Sequence, residues 1–266
     1  MNLSEFLTPY FLCGFAGFIL SLATVLIICH KKDIPKSRGF FLLVAAIVGL
    51  FIGGHLLFFI VGLPEFITEI LPYVTNVDQF LSAFAASASG LVFYGSMLGA
   101  LLALYIFCKA NHAPLRPNLN LCVLIFPLAH ACGRVGCALT GCCYGIEYHG
   151  PLAITYSVSQ IVPGANDDLA DFSRFPIQPL EAVCELIIFI ILLYFYIKKG
   201  DDFSVTTTYL LIYPVVRFFD EFLRGDNIRG LWGPFSTSQW ISLAIIIVTV
   251  IYLIVKKRKN ILAPQE

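Results

Sequence analysis

The sequence predicts an all-α integral membrane protein with about seven transmembrane helices, and three observations predict it. Of 266 residues, 58% are hydrophobic and only 13% charged, about half the ~25% charged share of soluble domains, and mean hydropathy is +0.84. Uncharged apolar runs near spanning length recur along the whole chain, and the basic residues gather after alternate runs. Lipid must therefore solvate most of the surface, and at ~20 residues per span a chain of this length holds about six to eight spans. The formal net charge of zero leaves no basic excess to neutralise a phosphate backbone, so no nucleic-acid partner is expected.

The first run, 9–29, is a retained span rather than a cleavable signal peptide. It lacks a basic leader, exceeds the length of a signal core and is followed by a lysine cluster. Leu12 stands before Cys13 where lipidation would need a small residue. A second run covers 40–63, after which Glu65, Pro72, Asn76 and Asp78 interrupt the apolar pattern. The segment 64–88 therefore reads as a surface or re-entrant helix on the outer face. The third run, 89–108, carries Gly90, Gly95 and Gly99, and Gly95-x-x-x-Gly99 is a small-residue packing pattern. A short fourth run, 119–132, enters a long outer-face segment at about 134–178; runs at 179–197, 204–223 and 237–255 complete the set. Residues 1–266 thus form a single polytopic membrane domain, ending in a solvated basic tail.

Sidedness follows from the basic residues. Lys31, Lys32, Lys36 and Arg38, then Lys109 and Arg116, then Lys198 and Lys199, then Lys256, Lys257, Arg258 and Lys259 lie on one side. By the positive-inside rule that side is cytoplasmic, which places the N-terminus outside and the C-terminus inside. Every lysine is used in this way. The five remaining cations, Arg134, Arg174, Arg217, Arg224 and Arg229, are all arginines at or near the outer side. Topology alone disfavours both residue types there, so an all-arginine remainder points to a planar fork gripping phosphate or carboxylate. Structural pairing with nearby carboxylates is the competing reading, the stronger one for Arg174 and Arg229.

Two spans carry polar stripes. Tyr213, Arg217, Glu221 and Arg224 fall at spacings of four, four and three, and Pro214 sits one turn before Arg217. A charged side chain in lipid costs about 2.5–3.5 kcal/mol on the insertion scale, so this stripe must face protein or water. The fifth span opens with Gln178 and Glu181 on one face, and Glu185 needs a partner one turn deeper. In 128–145, LAHACGRVGCALTGCCYG, Gly133 and Gly136 flank Arg134, and Tyr144 precedes Gly145. Glycines beside an arginine suit a backbone that turns closely around a ligand. Cys132, Cys137, Cys142 and Cys143 share this segment. Their spacing is not that of a zinc site and no metal is expected, leaving a disulfide or small buried thiols. His130 lies four residues before Arg134 and reads as a structural histidine within reach of the same pocket.

Four blocks, GLVFYGSMLG at 90–99, GRVGCALTGCCYG at 133–145, IQPLEAVCEL at 177–186 and YPVVRFFDEFLRGD at 213–226, resemble in order those of the bacterial prolipoprotein diacylglyceryl transferases. The resemblance implies a multi-pass plasma-membrane enzyme, its active site toward the outer side, with no cofactor. It would transfer the diacylglyceryl group of phosphatidylglycerol to the lipobox cysteine thiol at prolipoprotein signal peptides, releasing glycerol phosphate. By match to the blocks, Arg134 would bind the lipid phosphate, Arg217 would stabilise the leaving group, Glu221 would orient it and Arg224 would stand near the entry. Gln178, Glu181, Tyr213, Gly95, Gly133, Gly136, Tyr144 and Gly145 would line the substrates.

The chain departs from the family pattern where Cys137 and Thr140 replace asparagines, Cys142 an acidic residue, and Tyr94 and Phe175 histidines. If the family chemistry is retained, either Tyr94 acts as a hydrogen-bonding partner rather than as base, or the acceptor thiol loses its proton to water or to Glu181; the change equally fits a paralogue with another acceptor or another lipid. Two other readings stay open: a membrane thiol-disulfide oxidoreductase using Cys132, Cys137, Cys142 and Cys143, and a lipid or anion transporter.

Overall fold

A computed structural model describes residues 8–70, 75–88, 93–156, 172–200, 204–225 and 231–262. Helices occupy all seven expected positions: α1 (Pro9–Lys31), α2 (Lys36–Glu65), α4 (Phe93–Ala110), α5 (Leu115–Thr140), α6 (Ile177–Lys199), α7 (Val205–Asp220) and α8 (Thr237–Leu262), with α3 (Val77–Ala88) between α2 and α4. Among the described residues, five are long and apolar enough to cross a membrane: Pro9–Lys31, Lys36–Pro64, Leu115–Thr140, Ile177–Lys199 and Thr237–Arg258. Gly95–Ala110 is shorter but apolar, and α7 has 16 residues. Large aliphatic side chains stand outward on these helices, among them Ile52, Val61, Ile190 and Val248. Lipid is the solvent such faces require.

The chain forms two compact units, one of Val25–Cys122 and one of Met1–Thr24 with Val123–Glu266. In the first, α2 and α4 pack through four glycines. A Cβ on Gly53 would overlap the carbonyl of Gly95, and one on Gly49 that of Gly99. The backbones therefore touch, which is how helices associate when lipid supplies no hydrophobic drive between them. The segment after α2 is helical too. The helix passes through Pro64 into a π turn at Phe66–Ile70, and Phe59, Phe66, Phe80 and Phe84 stack there with centroids 5.2–6.4 Å apart.

The second unit holds α5 beyond Val123 together with α6, α7 and α8. Ser204 caps α7, its Oγ accepting from Thr207 N at 3.4 Å. Ser236 and Gln239 form a reciprocal box at the start of α8, with Ser236 N donating to Gln239 Oε1 at 2.9 Å and Gln239 N to Ser236 Oγ at 3.3 Å. The Gln239 amide also donates to the Phe218 carbonyl of α7 at 3.2 Å. Two short antiparallel ladders complete the unit: β1 (Ile154–Thr155) with β2 (Ser173–Arg174), and β3 (Leu231–Trp232) with β4 (Phe235–Ser236).

Two local expectations are corrected. The fourth span is not short: α5 continues through Pro127 to Thr140, for 26 residues. Gly133 and Gly136 therefore lie inside a helix and do not turn the backbone around Arg134. Gly136 instead admits Tyr10 and Cys13 of α1 against the helix, while Gly133 faces open space. Nor does the α7 stripe carry four residues. The helix ends at Asp220, tightens into a 3-10 turn at Glu221–Leu223, and Arg224 is extended (φ −81°, ψ 141°).

Candidate active site

The site is built from three helical stripes. On α5 the residues Phe126, His130 and Arg134 recur every fourth position, as do Glu181 and Glu185 on α6 and Tyr209, Tyr213 and Arg217 on α7, with Glu221 following. A four-residue interval returns nearly to the same helix face. The faces meet in rungs. Arg134 Nη2 pairs with Glu181 Oε2, and one turn away His130 Nδ1 lies 2.6 Å from Glu185 Oε1. Beside them the rings pack: Phe126 edge-on to Tyr209 at 5.8 Å, His130 edge-on to Tyr213 at 5.9 Å, and Tyr209 stacked on Tyr213 at 5.2 Å.

Glu181 is the hinge of the charge network. Its second oxygen accepts from Arg217 Nη1 at 3.2 Å, so the two arginines share one buried carboxylate. Arg217 Nη2 in turn lies 2.6 Å from Glu221 Oε2 and donates to Ser238 Oγ of α8 at 3.4 Å. Arg134, Glu181 and Glu221 are 6%, 6% and 2% exposed. Two guanidiniums and two carboxylates sum to zero, which makes their burial tolerable. Yet the network is incomplete. Among the described residues Arg134 Nε is buried with no acceptor, and Nη1 reaches only the soft Sγ of Cys137 at 3.8 Å. These donors suit an incoming oxyanion.

The segment following Arg134 is fastened on both flanks. Gly141 (φ 70°) and Cys143 (φ 55°) turn the chain in the left-handed region, a conformation glycine adopts freely and cysteine only when its surroundings hold it. Gln178 Nε2 holds it by donating to the Cys142 carbonyl at 2.9 Å and to Tyr156 Oη at 3.1 Å. On one side Gly225 N donates to Tyr144 O at 2.9 Å and Ile146 N to Leu223 O at 3.0 Å; on the other Phe175 N donates to Ile146 O at 2.9 Å and Tyr148 N to Ser173 O at 2.9 Å. The strip 144–148 is thereby stitched to the chain just before α6 and just after α7. A Cβ on Gly145 would overlap the Phe175 carbonyl, and one on Gly225 would overlap that of Gly145. Arg174 sits over the Tyr144 ring, 4.9 Å from its centre, and 5.6 Å from that of Phe172, a cation-π contact.

The left-handed turn folds Cys142 and Cys143 back on the end of α5. The Sγ atoms of Cys137, Cys142 and Cys143 lie within 4.8 Å of one another, the group among the described residues with the spacing to hold a thiophilic ion. All nine cysteines are free thiols. Hydrogen bonds from Cys137 and Cys142, aided by the charges of Arg224 and Arg134, pull the Cys143 thiol well below the usual range. Cys142 is held up: its bond to Cys137 lowers it, but Cys143 and burial prevail.

Most residues expected at the site come together. Arg134, Arg217, Glu221, Glu181, Gln178 and Tyr213 are in or beside the network, while Tyr144, Gly145 and Arg224 belong to the stitched strip, Gly145 and Arg224 as a backbone bridge. Gly95 is spent on the α2–α4 contact. The side chain of Tyr94 and the whole of Arg229 lie outside the described residues. Sequence reasoning missed the His130–Glu185 pair and Tyr209. The signal was present in the interval of four that separates His130 from Arg134 and Glu185 from Glu181, which places two polar pairs in register.

Comparison with known proteins places this arrangement. A family model described as prolipoprotein diacylglyceryl transferase matches residues 6–255. A Clostridium tetani protein named phosphatidylglycerol-prolipoprotein diacylglyceryl transferase is 31% identical over 244 residues, 88% of this chain and 89% of its own length. A second of that name from Clostridium perfringens is 28% identical, covering 92% of this chain and 91% of its own. One from Cupriavidus metallidurans is 26% identical, with 94% and 89% covered. All three names describe transferases, so the oxidoreductase and transporter readings are not favoured.

Proposed function

Because the chain belongs to the prolipoprotein diacylglyceryl transferase family, we propose that it moves the diacylglyceryl group of phosphatidylglycerol to the lipobox cysteine thiol of a prolipoprotein signal peptide, releasing glycerol phosphate. The chain is a multi-pass bacterial membrane protein. The seven-span, N-out, C-in arrangement with the site toward the outer leaflet belongs to the proposal, supported by the placement of its lysines.

The observation that carries the reading is the buried Arg134–Glu181–Arg217–Glu221 network with an unused donor on Arg134. Cleaving a carbon–oxygen bond with a phosphate leaving group needs cations fixed in advance where charge develops. Arg134 takes the lipid phosphate through its free Nε edge, and Arg217 faces the charge that grows on the departing oxygen. Glu181 and Glu221 position these guanidiniums; Glu181, with both oxygens on arginines, is poorly placed to accept a proton as well. Gln178 holds the turn that presents Tyr144 and Gly145, and Tyr213 closes the deep side. Gly133 contributes the open face of α5, Gly136 the α1 contact, Gly95 the α2–α4 contact and Arg224 the entry.

The test is direct. Purified protein in phosphatidylglycerol micelles with a lipobox peptide should yield a peptide carrying diacylglycerol on its thiol, seen by mass spectrometry, and Arg134→Ala should not. Lipid bound by a folded protein that never forms the thioether would refute the assignment.

A further inference from the structure

We infer that His130, oriented by Glu185, is the general base that takes the proton of the acceptor thiol. The inference rests on the transferase reading above. It begins from a bond: His130 Nδ1 lies 2.6 Å from Glu185 Oε1, the length of a charge-assisted hydrogen bond. Glu185 is 2% exposed, and its other oxygen is buried with no donor. Unlike Glu181 and Glu221, it has no arginine partner among the described residues, and its paired oxygen faces the imidazole. The His130 side chain is 26% exposed, and no hydrogen bond among the described residues occupies Nε2. A buried carboxylate on one ring nitrogen, with the other left accessible, fixes the tautomer and stabilises the imidazolium.

A structural tie between α5 and α6 does not require this pair, because Arg134–Glu181 already joins the same two helices one turn away. A tie would also be made with both ring nitrogens satisfied. Position supports the chemical role. His130 is one helical turn from Arg134 on the same face, ~6 Å away, so a thiol at Nε2 stands beside the lipid whose phosphate Arg134 holds. Its ring is edge-on to Tyr213 at 5.9 Å and tilted against Phe126 at 5.8 Å, which narrows its approach. With Tyr94 and Phe175 both lacking a basic nitrogen, His130 supplies one.

The step balances. The thiol proton passes to Nε2 as sulfur bonds to the terminal glyceryl carbon. The carbon–oxygen bond to phosphate breaks, its electron pair leaves on glycerol phosphate, and the imidazolium returns the proton to that phosphate. The dyad goes from one negative charge to neutral and back.

The experiment compares two acceptors, a lipobox peptide with cysteine and the same peptide with selenocysteine, whose selenol is ionised at neutral pH without a base. Wild type, His130→Gln and Glu185→Gln are assayed in phosphatidylglycerol micelles. His130→Gln should lose about 10²-fold or more with the thiol and recover most of it with the selenol; Glu185→Gln should show the same pattern more weakly. The selenol-to-thiol rate ratio cancels any difference in the amount of folded protein. An unchanged ratio in both variants would overturn the inference, as would full thiol activity in His130→Gln. If wild type modifies neither peptide, the transferase reading itself fails.

Discussion

Two helix contacts in this chain solve the same problem by opposite means. Where α2 crosses α4, Gly49, Gly53, Gly95 and Gly99 remove side chains until the backbones touch. Where α5, α6 and α7 meet, the sequence instead gathers two arginines, three buried glutamates and a half-buried histidine. The glycine contact involves no charge desolvation and is held by close packing. The polar contact carries desolvation costs of several kcal/mol per ion before any pairing is counted. A chain that can join helices with glycine needs no such contact for stability, so the polar one marks where chemistry is done.

That contrast can be broken at either contact. The largest effect is expected at the crossing: Gly99→Val places a branched side chain against the backbone of Gly49 and Gly53. Helices cannot separate without losing their packing, so folded protein should disappear, as read by size-exclusion chromatography after extraction. Arg217→Ala should leave folded protein but lower thioether formation by about 10²–10³-fold, the range for removing a fixed donor from a developing oxyanion. Glu181→Gln keeps the shape and removes the charge shared by Arg134 and Arg217. Breaking a buried pair in this way costs roughly 3–5 kcal/mol, to be measured as a lowered thermal midpoint.

A smaller effect sharpens the comparison at the rim of the site. Because Cys143 is held below the usual thiol range by Cys137, Cys142 and two arginines, it is the more readily ionised thiol of the turn. Alkylation by iodoacetamide should reach Cys143 first, while Cys142 labels only as pH rises. Peptide mapping after timed labelling reads both. Equal rates at the two positions would mean that the turn at Gly141–Cys143 does not bring the three sulfurs together.

The fold was legible because hydropathy reports on lipid contact residue by residue. Helices stand at the seven expected positions, five of them long and apolar enough to cross a membrane among the described residues, and the small-residue pattern at Gly95 and Gly99 found its partner in Gly49 and Gly53. The end of α5 was not, because Arg134, Thr140, Gly133 and Gly136 dilute the apolar signal although the backbone stays helical. Arg134 and Glu181 were each visible as misplaced charges, yet their pairing spans two helices and no local pattern encodes it. Arg224 was misread for a different reason. A spacing of three after Glu221 fits a helix, but the chain leaves the helix at Asp220 to pair with Gly145. His130 was weighed as structural because Glu185, 55 residues away, gives it no mark in the sequence.

The central claim is that the arginines are arranged for phosphate chemistry beyond the tie that Arg134 and Glu181 make between helices. Arg134→Lys tests it most directly, since lysine keeps the charge for Glu181 but lacks the planar fork that leaves Nε free. Thioether yield per folded molecule and the thermal midpoint should be measured on the same preparation. The account predicts a fall in yield of about 10²-fold with a midpoint within a few degrees of wild type. A large drop in midpoint with yield per folded molecule preserved would contradict it and make the network a structural one.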